Sequence, residues 1–222
     1  MKMNIKMFYY YKTRWVRNKL FKNYNIRPNL GFNHFERLYK RFYKIRKPLI
    51  QQIISDYNIR DKHILDLCSG FGQDDILFTE LGNNKVISVD INKPSCEFHK
   101  QKIRENGFDN KIYNGNMTRI KFNNKFDIIY TANPGNWTNE NVSIIIPKYC
   151  LKTVKRNSKD GTLFICILNS GNYHFNTELE VLDYMKLFRN KISSIGFVVL
   201  DYKRINNTNE NGLLIVSVGC DI

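Results

Sequence analysis

A chain of 222 residues is long enough for one α/β domain with a sizeable core and an appendage. It contains no apolar run of membrane-spanning length, and its start lacks the apolar stretch of a secretory signal. The formal net charge of +15 is lopsided: residues 1–50 carry 14 Lys and Arg against Glu36 alone, and the other 172 residues hold 21 basic and 19 acidic side chains. The five cysteines (Cys68, Cys96, Cys150, Cys166, Cys220) are odd in number and widely spaced, without a C-x-x-C pair. That argues against a disulfide frame or a zinc site and for reduced, buried thiols in a reducing compartment, cytoplasmic or, alternatively, an organelle.

Residues 1–32 interleave cations with aromatic rings, among them Tyr9, Tyr10, Tyr11, Lys12, Arg14, Trp15, Arg17, Lys19, Phe21, Lys22, Tyr24 and Arg27. Cations neutralise phosphates while rings and guanidinium planes stack on unpaired bases, so the mixture suits RNA, ribosomal RNA included, with contacts through residues 1–47. The absence of acids before Glu36 also suits an organelle-import segment, although the absence of serine does not, and a solvated basic tail is the third reading. Asn33 and Glu36 are spaced as a capping box, followed by Phe35, Leu38, Tyr39 and Phe42 on one helical face. Pro48 is expected to separate this helix from a second one carrying Leu49, Ile50, Ile53, Ile54 and Tyr57. The division expected is a basic arm and helix over 1–44 and a domain over 45–222.

Ile64 to Leu67 form a short apolar run suited to a buried parallel strand. Gly70 and Gly72 follow at once, where the chain must turn sharply and let a ligand approach its backbone. A helical pattern with Ile76, Leu77 and Leu81 ends at Gly82, expected as its C-cap, and a second apolar run, Val86 to Val89, ends in Asp90. A carboxylate at that strand end can accept both hydroxyls of a ribose, as dinucleotides and S-adenosylmethionine require. The third glycine of the dinucleotide fingerprint is replaced by Asp75, an acid ill suited to a pyrophosphate at a helix N-terminus but tolerable to a cationic sulfonium ligand.

With these residues in place the segment resembles the class I S-adenosylmethionine (SAM)-dependent methyltransferases, whose first motif is an acid, an apolar residue and G-x-G-x-G. Here the motif reads Asp66-Leu67-Cys68-Ser69-Gly70-Phe71-Gly72, with Cys68 in the place of the first glycine. The resemblance implies a Rossmann-like, doubly wound, seven-stranded and mostly parallel sheet with an antiparallel last strand, carrying the basic helical arm at its start. It implies SAM as cofactor, with Asp66 orienting the ammonium end and Cys68, Ser69, Gly70, Gly72 and Gln73 beside the methionine. Asp90 with Ile91 should hold the ribose, Asn116 with Met117 should hold the adenine, and Thr131 should line the site.

Further along, Pro94 suits the first turn of a helix reaching Gly107, with Cys96, Phe98 and Ile103 as core candidates. His99, like His34, His63 and His174, has no partner at metal-ligand spacing, so no metal is expected. Lys111 to Tyr113 and Phe126 to Tyr130 read as the third and fourth strands. After the latter, Asn133-Pro134-Gly135-Asn136-Trp137 resembles, imperfectly, the [N/D]-P-P-[Y/F/W] loop of amino-group methyltransferases. That resemblance makes Asn133 and Trp137 the candidate catalytic residues, set to hold and stack an acceptor base. The Lys-Asp-Lys-Glu tetrad of ribose 2′-O-methyltransferases is missing. A helix around Val142, Ile144 and Ile145 leads to a second basic cluster, Lys152, Lys155, Arg156 and Lys159, before a fifth strand over Thr162 to Leu168. Thr177 with Glu180 is expected to cap a last helix ended by Gly196, and Phe197 to Leu200 and Leu213 to Val218 to close the sheet. The leading expectation is a SAM-dependent methyltransferase acting on a base nitrogen of RNA or another nucleic acid. The alternatives are a non-catalytic RNA- or ribosome-associated protein on the same scaffold and a small-molecule methyltransferase.

Overall fold

The computed structural model describes residues 32–132, 148–169, 177–206 and 211–219. The basic arm over 1–31, the loop bearing Asn133 and Trp137, and the helix expected around Val142 lie outside them.

Seven strands, β1 (His63–Leu67), β2 (Lys85–Asp90), β3 (Lys111–Asn114), β4 (Phe126–Ala132), β5 (Ser158–Asn169), β6 (Phe197–Asn206) and β7 (Asn211–Gly219), form one sheet in the order β3-β2-β1-β4-β5-β7-β6. The five from β3 to β5 run parallel, and β7 enters antiparallel between β5 and β6. Four of the five residues of β1 are buried, because helices cover both faces of the sheet. Leu65 and Leu67 face a layer containing Leu151 and Val154 of α4 (Lys148–Asn157) and Val181, Met185 and Phe188 of α5 (Glu178–Ser193). Ile64 faces the other layer, where Ile50, Ile53 and Ile54 of α1 (Phe32–Asp56) meet Leu77 and Phe78 of α2 (Gln73–Gly82). The remaining helix, α3 (Lys93–Glu105), packs Phe98 and Ile103 against Phe35 and Tyr39 of α1. No described helix is long and apolar enough to cross a membrane.

The expected capping box at α5 is present: Thr177 Oγ1 accepts from the Glu180 N–H and the Glu180 carboxylate accepts from the Thr177 N–H. Three local expectations need correcting. Asn33 lies inside α1 rather than at its cap, and Glu36 reaches Lys102 of α3 at 2.5 Å instead of its own helix start. The αL residue that ends α2 is Asn83 (φ 53), one place after Gly82; Gly82 is small because a Cβ there would come within 2.6 Å of the Ile59 carbonyl. Pro48 does not divide α1, which runs through it as one helix. Pro48 and Lys44 both sit on the exposed face, so the Lys44 carbonyl that loses its amide partner is turned to water, while Ile50, Ile53 and Ile54 hold the far half down. Pro48→Ala restores that bond and is expected to raise the stability by about 1–3 kcal/mol in urea denaturation, since Pro in an exposed helix interior costs about 3 kcal/mol relative to Ala.

α1 runs from the carboxyl end of the central strands to the far edge of the sheet. Near its start, the Phe35 ring packs on Phe71 of the glycine turn (centroids 5.1 Å apart) and on Phe98 (5.9 Å). In its middle, Tyr43 donates to Glu80 and Lys47 lies 3.0 Å from the same carboxylate. Just past its end, the Tyr57 hydroxyl donates to Asp201 of β6 at 2.8 Å.

Candidate functional site

In an open parallel sheet, ligands sit beyond the carboxyl ends of the strands where the order reverses, here between β1 and β4. The chain leaves β1 at Leu67 and turns at once. The N–H groups of Cys68 and Ser69 donate to the Val89 carbonyl at 2.8 and 3.3 Å, pinning the turn to the end of β2. Cys68 (φ 70), Gly70 (φ 55) and Gly72 (φ 79) all have left-handed backbones. Cys68 therefore bears the strain that glycine would avoid there, and its thiol is 3.9 Å from the Met117 sulfur.

The two glycines serve different ends. A Cβ on Gly70 would meet no atom of the described residues within 4 Å, so among them this part of the turn borders open space. A Cβ on Gly72 would lie 2.0 Å from the buried His99 ring, so only glycine lets α3 pack there. Asp90 points back at the turn: its Oδ2 accepts from the Gly70 N–H at 2.9 Å and its Oδ1 from the Asn92 N–H at 2.7 Å. Each oxygen keeps a lone pair for a ligand hydroxyl. Burial pushes this carboxyl above its ordinary range, while the N–H groups of Asn92, Gly70 and Ile91 pull it back.

Beneath the turn lies a layer that the sequence did not announce. Asp66, Asp74 and Asp75 are all buried. Tyr130 donates to Asp74 at 2.7 Å, Ser88 donates to Asp75, and His99 Nε2 is 3.2 Å from Asp75. Burial holds the His99 imidazole neutral, pushed down to about 3. Asp66 Oδ1, Ser69 Oγ and Gln73 Oε1 are buried without a hydrogen-bond partner among the described residues. Such orphaned acceptors beside a ligand turn are what a bound donor would satisfy.

Asp66, Cys68, Ser69, Gly70, Gly72, Gln73 and Asp90 thus gather around one turn, with Ile91 directly after Asp90 and Met117 reached through the Cys68 thiol. Two expected residues have other occupations. Asn116 closes its own turn, its Oδ1 accepting from the Thr118 N–H at 2.9 Å and the Thr118 hydroxyl at 2.8 Å. The Thr131 hydroxyl donates to the Leu67 carbonyl at 2.7 Å and is buried, so it ties β4 to β1. Sequence reasoning missed Asn114, whose amide donates to the Asp90 and Ile91 carbonyls and joins the ends of β2 and β3. The basic cluster lies at the opposite, amino end of the strands. There Lys159 pairs with Asp127 at 2.6 Å and Arg156 donates to the Ile120 carbonyl at 2.7 Å, while Lys152 and Lys155 are exposed.

The mouth is therefore acidic, open above Gly70, and carries one carboxylate aimed across a glycine turn. That suits a cationic ligand with neighbouring hydroxyls. The "Methyltransferase domain" family matches residues 64–152. No curated protein matches the chain. Among solved structures, magnesium protoporphyrin IX methyltransferase from Synechocystis, with bound S-adenosylhomocysteine, superposes with a TM-score of 0.65 at 13% identity, covering 91% of this chain and 99% of that one. An S-adenosylmethionine-dependent methyltransferase from Clostridium acetobutylicum gives 0.59 at 15% identity over 92% and 99%. A proposed RNA methyltransferase from Pyrococcus horikoshii gives 0.58 at 18% over 78% and 81%.

Proposed function

We propose that this chain, whose domain belongs to the class I SAM-dependent methyltransferases, transfers its methyl group to a base nitrogen of RNA or another nucleic acid. SAM is the cofactor of such a domain, and the residues present fit it. The open space at Gly70 leaves room beside the backbone, Asp90 offers two oxygens for a ribose diol, and the orphaned Asp66 oxygen suits an ammonium group. When bound, SAM supplies an electrophilic methyl on a cationic sulfonium. The protein's share of the work is to hold an acceptor in line with it. In this reading Asn133 and Trp137, which follow β4 in the chain, orient the target amine and stack on its base.

The acceptor class rests on one observation. The arm of residues 1–31 joins the domain at Phe32, one helical turn before Phe35, whose ring lies on Phe71 inside the glycine turn. A strand of nucleic acid gripped by the arm's cations and rings would thus be held beside the methyl-transfer end rather than behind the sheet. The exposed Lys152 and Lys155 would add a second hold at the amino end. The solved neighbours named above act, by their own names, on a porphyrin and on RNA, so the fold leaves the acceptor open, and the charge distribution supports a nucleic acid. The chain lacks the ribose-methylating tetrad, which favours a base nitrogen. Buried free thiols at Cys96 and Cys166 fit action in a reducing compartment, the cytoplasm or an organelle.

Deleting residues 1–31 tests the acceptor. Expected are unchanged SAM affinity and loss of salt-sensitive RNA binding and RNA methylation. Methylation of small acceptors that survives the deletion, without any RNA methylation by the full chain, would overturn it. The second reading, a binding protein on this scaffold, draws on Cys68 standing in a left-handed position and on Asn116 Oδ1 being engaged by Thr118. It expects RNA binding with no transfer of labelled methyl at all.

A further inference from the structure

The acid layer under the glycine turn makes a prediction of its own about cofactor binding. Asp66 and Asp75 are both buried in one layer, joined through Ser88, which lies beside Asp66 in the paired strands and donates its hydroxyl to Asp75. The groups facing this pair are Asp74 from α2, Ser88 and Asp90 from β2, His99 from α3, and Tyr130 from β4, with Arg46 of α1 near Tyr130. His99 is neutral, so buried acids outnumber the cation beside them. Carboxylates so placed cannot all ionise in a low-dielectric interior. Asp66 Oδ1 is buried and, like Asp74 Oδ1 and Asp75 Oδ1, has no hydrogen-bond partner among the described residues.

We propose that cofactor binding is coupled to proton release: the ammonium group of SAM engages Asp66 and displaces a proton that the buried acid layer holds in the free protein, which passes to solvent. The inference rests on the SAM reading given above. A cation then does what the proton does in the free protein, which is to neutralise one carboxylate of the layer. Burial and the neighbouring Asp75, Asp74 and Asp90 push Asp66 well above the ordinary aspartate range, and burial pushes Asp75 up to about 7. The sign follows. Folded-state carboxyls held above their unfolded values stabilise the free protein below the unfolded range, near 4, and this contribution is lost as pH rises towards about 7. SAM, preferring the ionised layer, should bind more tightly as pH rises over the same interval, by up to about tenfold per pH unit.

The test is calorimetric titration of the full chain with SAM at about pH 6, in buffers of differing ionisation enthalpy. At that pH the ligand's own α-amino group, with a pKa near 8, stays protonated throughout. Expected is release of close to one proton per SAM bound, cut by more than half in Asp75→Asn with the pH slope of the affinity flattened. SAM binding with no proton exchange between about pH 5.5 and 7 would overturn the coupling and leave the cofactor reading intact. Release undiminished in a folded Asp75→Asn variant overturns it as well. Absence of any SAM binding would instead sink the cofactor reading, and the coupling with it.

Discussion

Asp90→Ala is expected to weaken SAM binding by about 100-fold or more, because hydrogen bonds to a charged group contribute about 1.5–3 kcal/mol each and a ribose diol would make two. The variant should fold. The ends of β2 and β3 are joined through the Asp90 backbone carbonyl, which accepts from Asn114 Nδ2 and the Gly115 N–H, and that carbonyl survives the substitution. What is lost besides the ribose grip is the pair of bonds from the Gly70 and Asn92 N–H groups, so the glycine turn is held less firmly as well. Asp90→Asn keeps one acceptor oxygen and should fall between wild type and alanine. Isothermal titration of each variant with SAM makes the check, and unchanged affinity in Asp90→Ala would refute the placement of the cofactor.

The two glycines of the turn should separate stability from binding. Gly72→Ala is expected to cost about 2–6 kcal/mol, combining left-handed strain of about 1–3 with overpacking of about 1–3. Its Cβ would overlap the His99 ring, which is wholly buried against Asp75 and has nowhere to go. For a domain with the usual 5–15 kcal/mol of stability, that loss ranges from severe to complete. Gly70→Ala carries a similar backbone strain but meets no described atom, so its stability in urea denaturation should fall by only that strain, about 1–3 kcal/mol. Its SAM affinity should nevertheless fall, because the added methyl occupies the space that the ligand needs. A Gly72→Ala protein as stable as wild type would contradict the packing described for α2 and α3.

What could be read from the chain, and what could not, divides along the range of the interactions. Strands β1, β2 and β4, the glycine turn and Asp90 are encoded by neighbouring residues: short apolar runs, two glycines and an acid at a strand end. Their boundaries widen by a residue or two in the structure, and β5 begins earlier, at Ser158, where its register against β4 shifts between Phe126 and Ile128. Pro48 misled because proline's cost inside a helix is local, whereas the compensation is tertiary: the apolar half of α1 beyond it is held by the sheet. Gly72 was legible as a turn glycine, yet its sharper role depends on a histidine 27 positions away that only the fold brings beneath it.

The acid layer was the hardest part to foresee. Asp75 read as a substitute for a third glycine at a ligand-facing position, and it lies under the turn, accepting from Ser88. A signal existed, since Ser88 interrupts an apolar strand and His99 shares a buried helix face with Cys96 and Ile103. Polar residues on core faces of separate elements point to one another only once the register is known, here Asp66 beside Ser88 in paired strands.

Native mass spectrometry of the full chain, purified as expressed and then incubated with SAM, tests the central claim most directly. Expected is one molecule of SAM or its demethylated product bound per chain, and its loss in Asp90→Ala. A chain that binds neither at saturating concentration, or that carries a nicotinamide dinucleotide in their stead, would contradict the assignment of the mouth beyond β1 and β2 to an adenosyl cofactor.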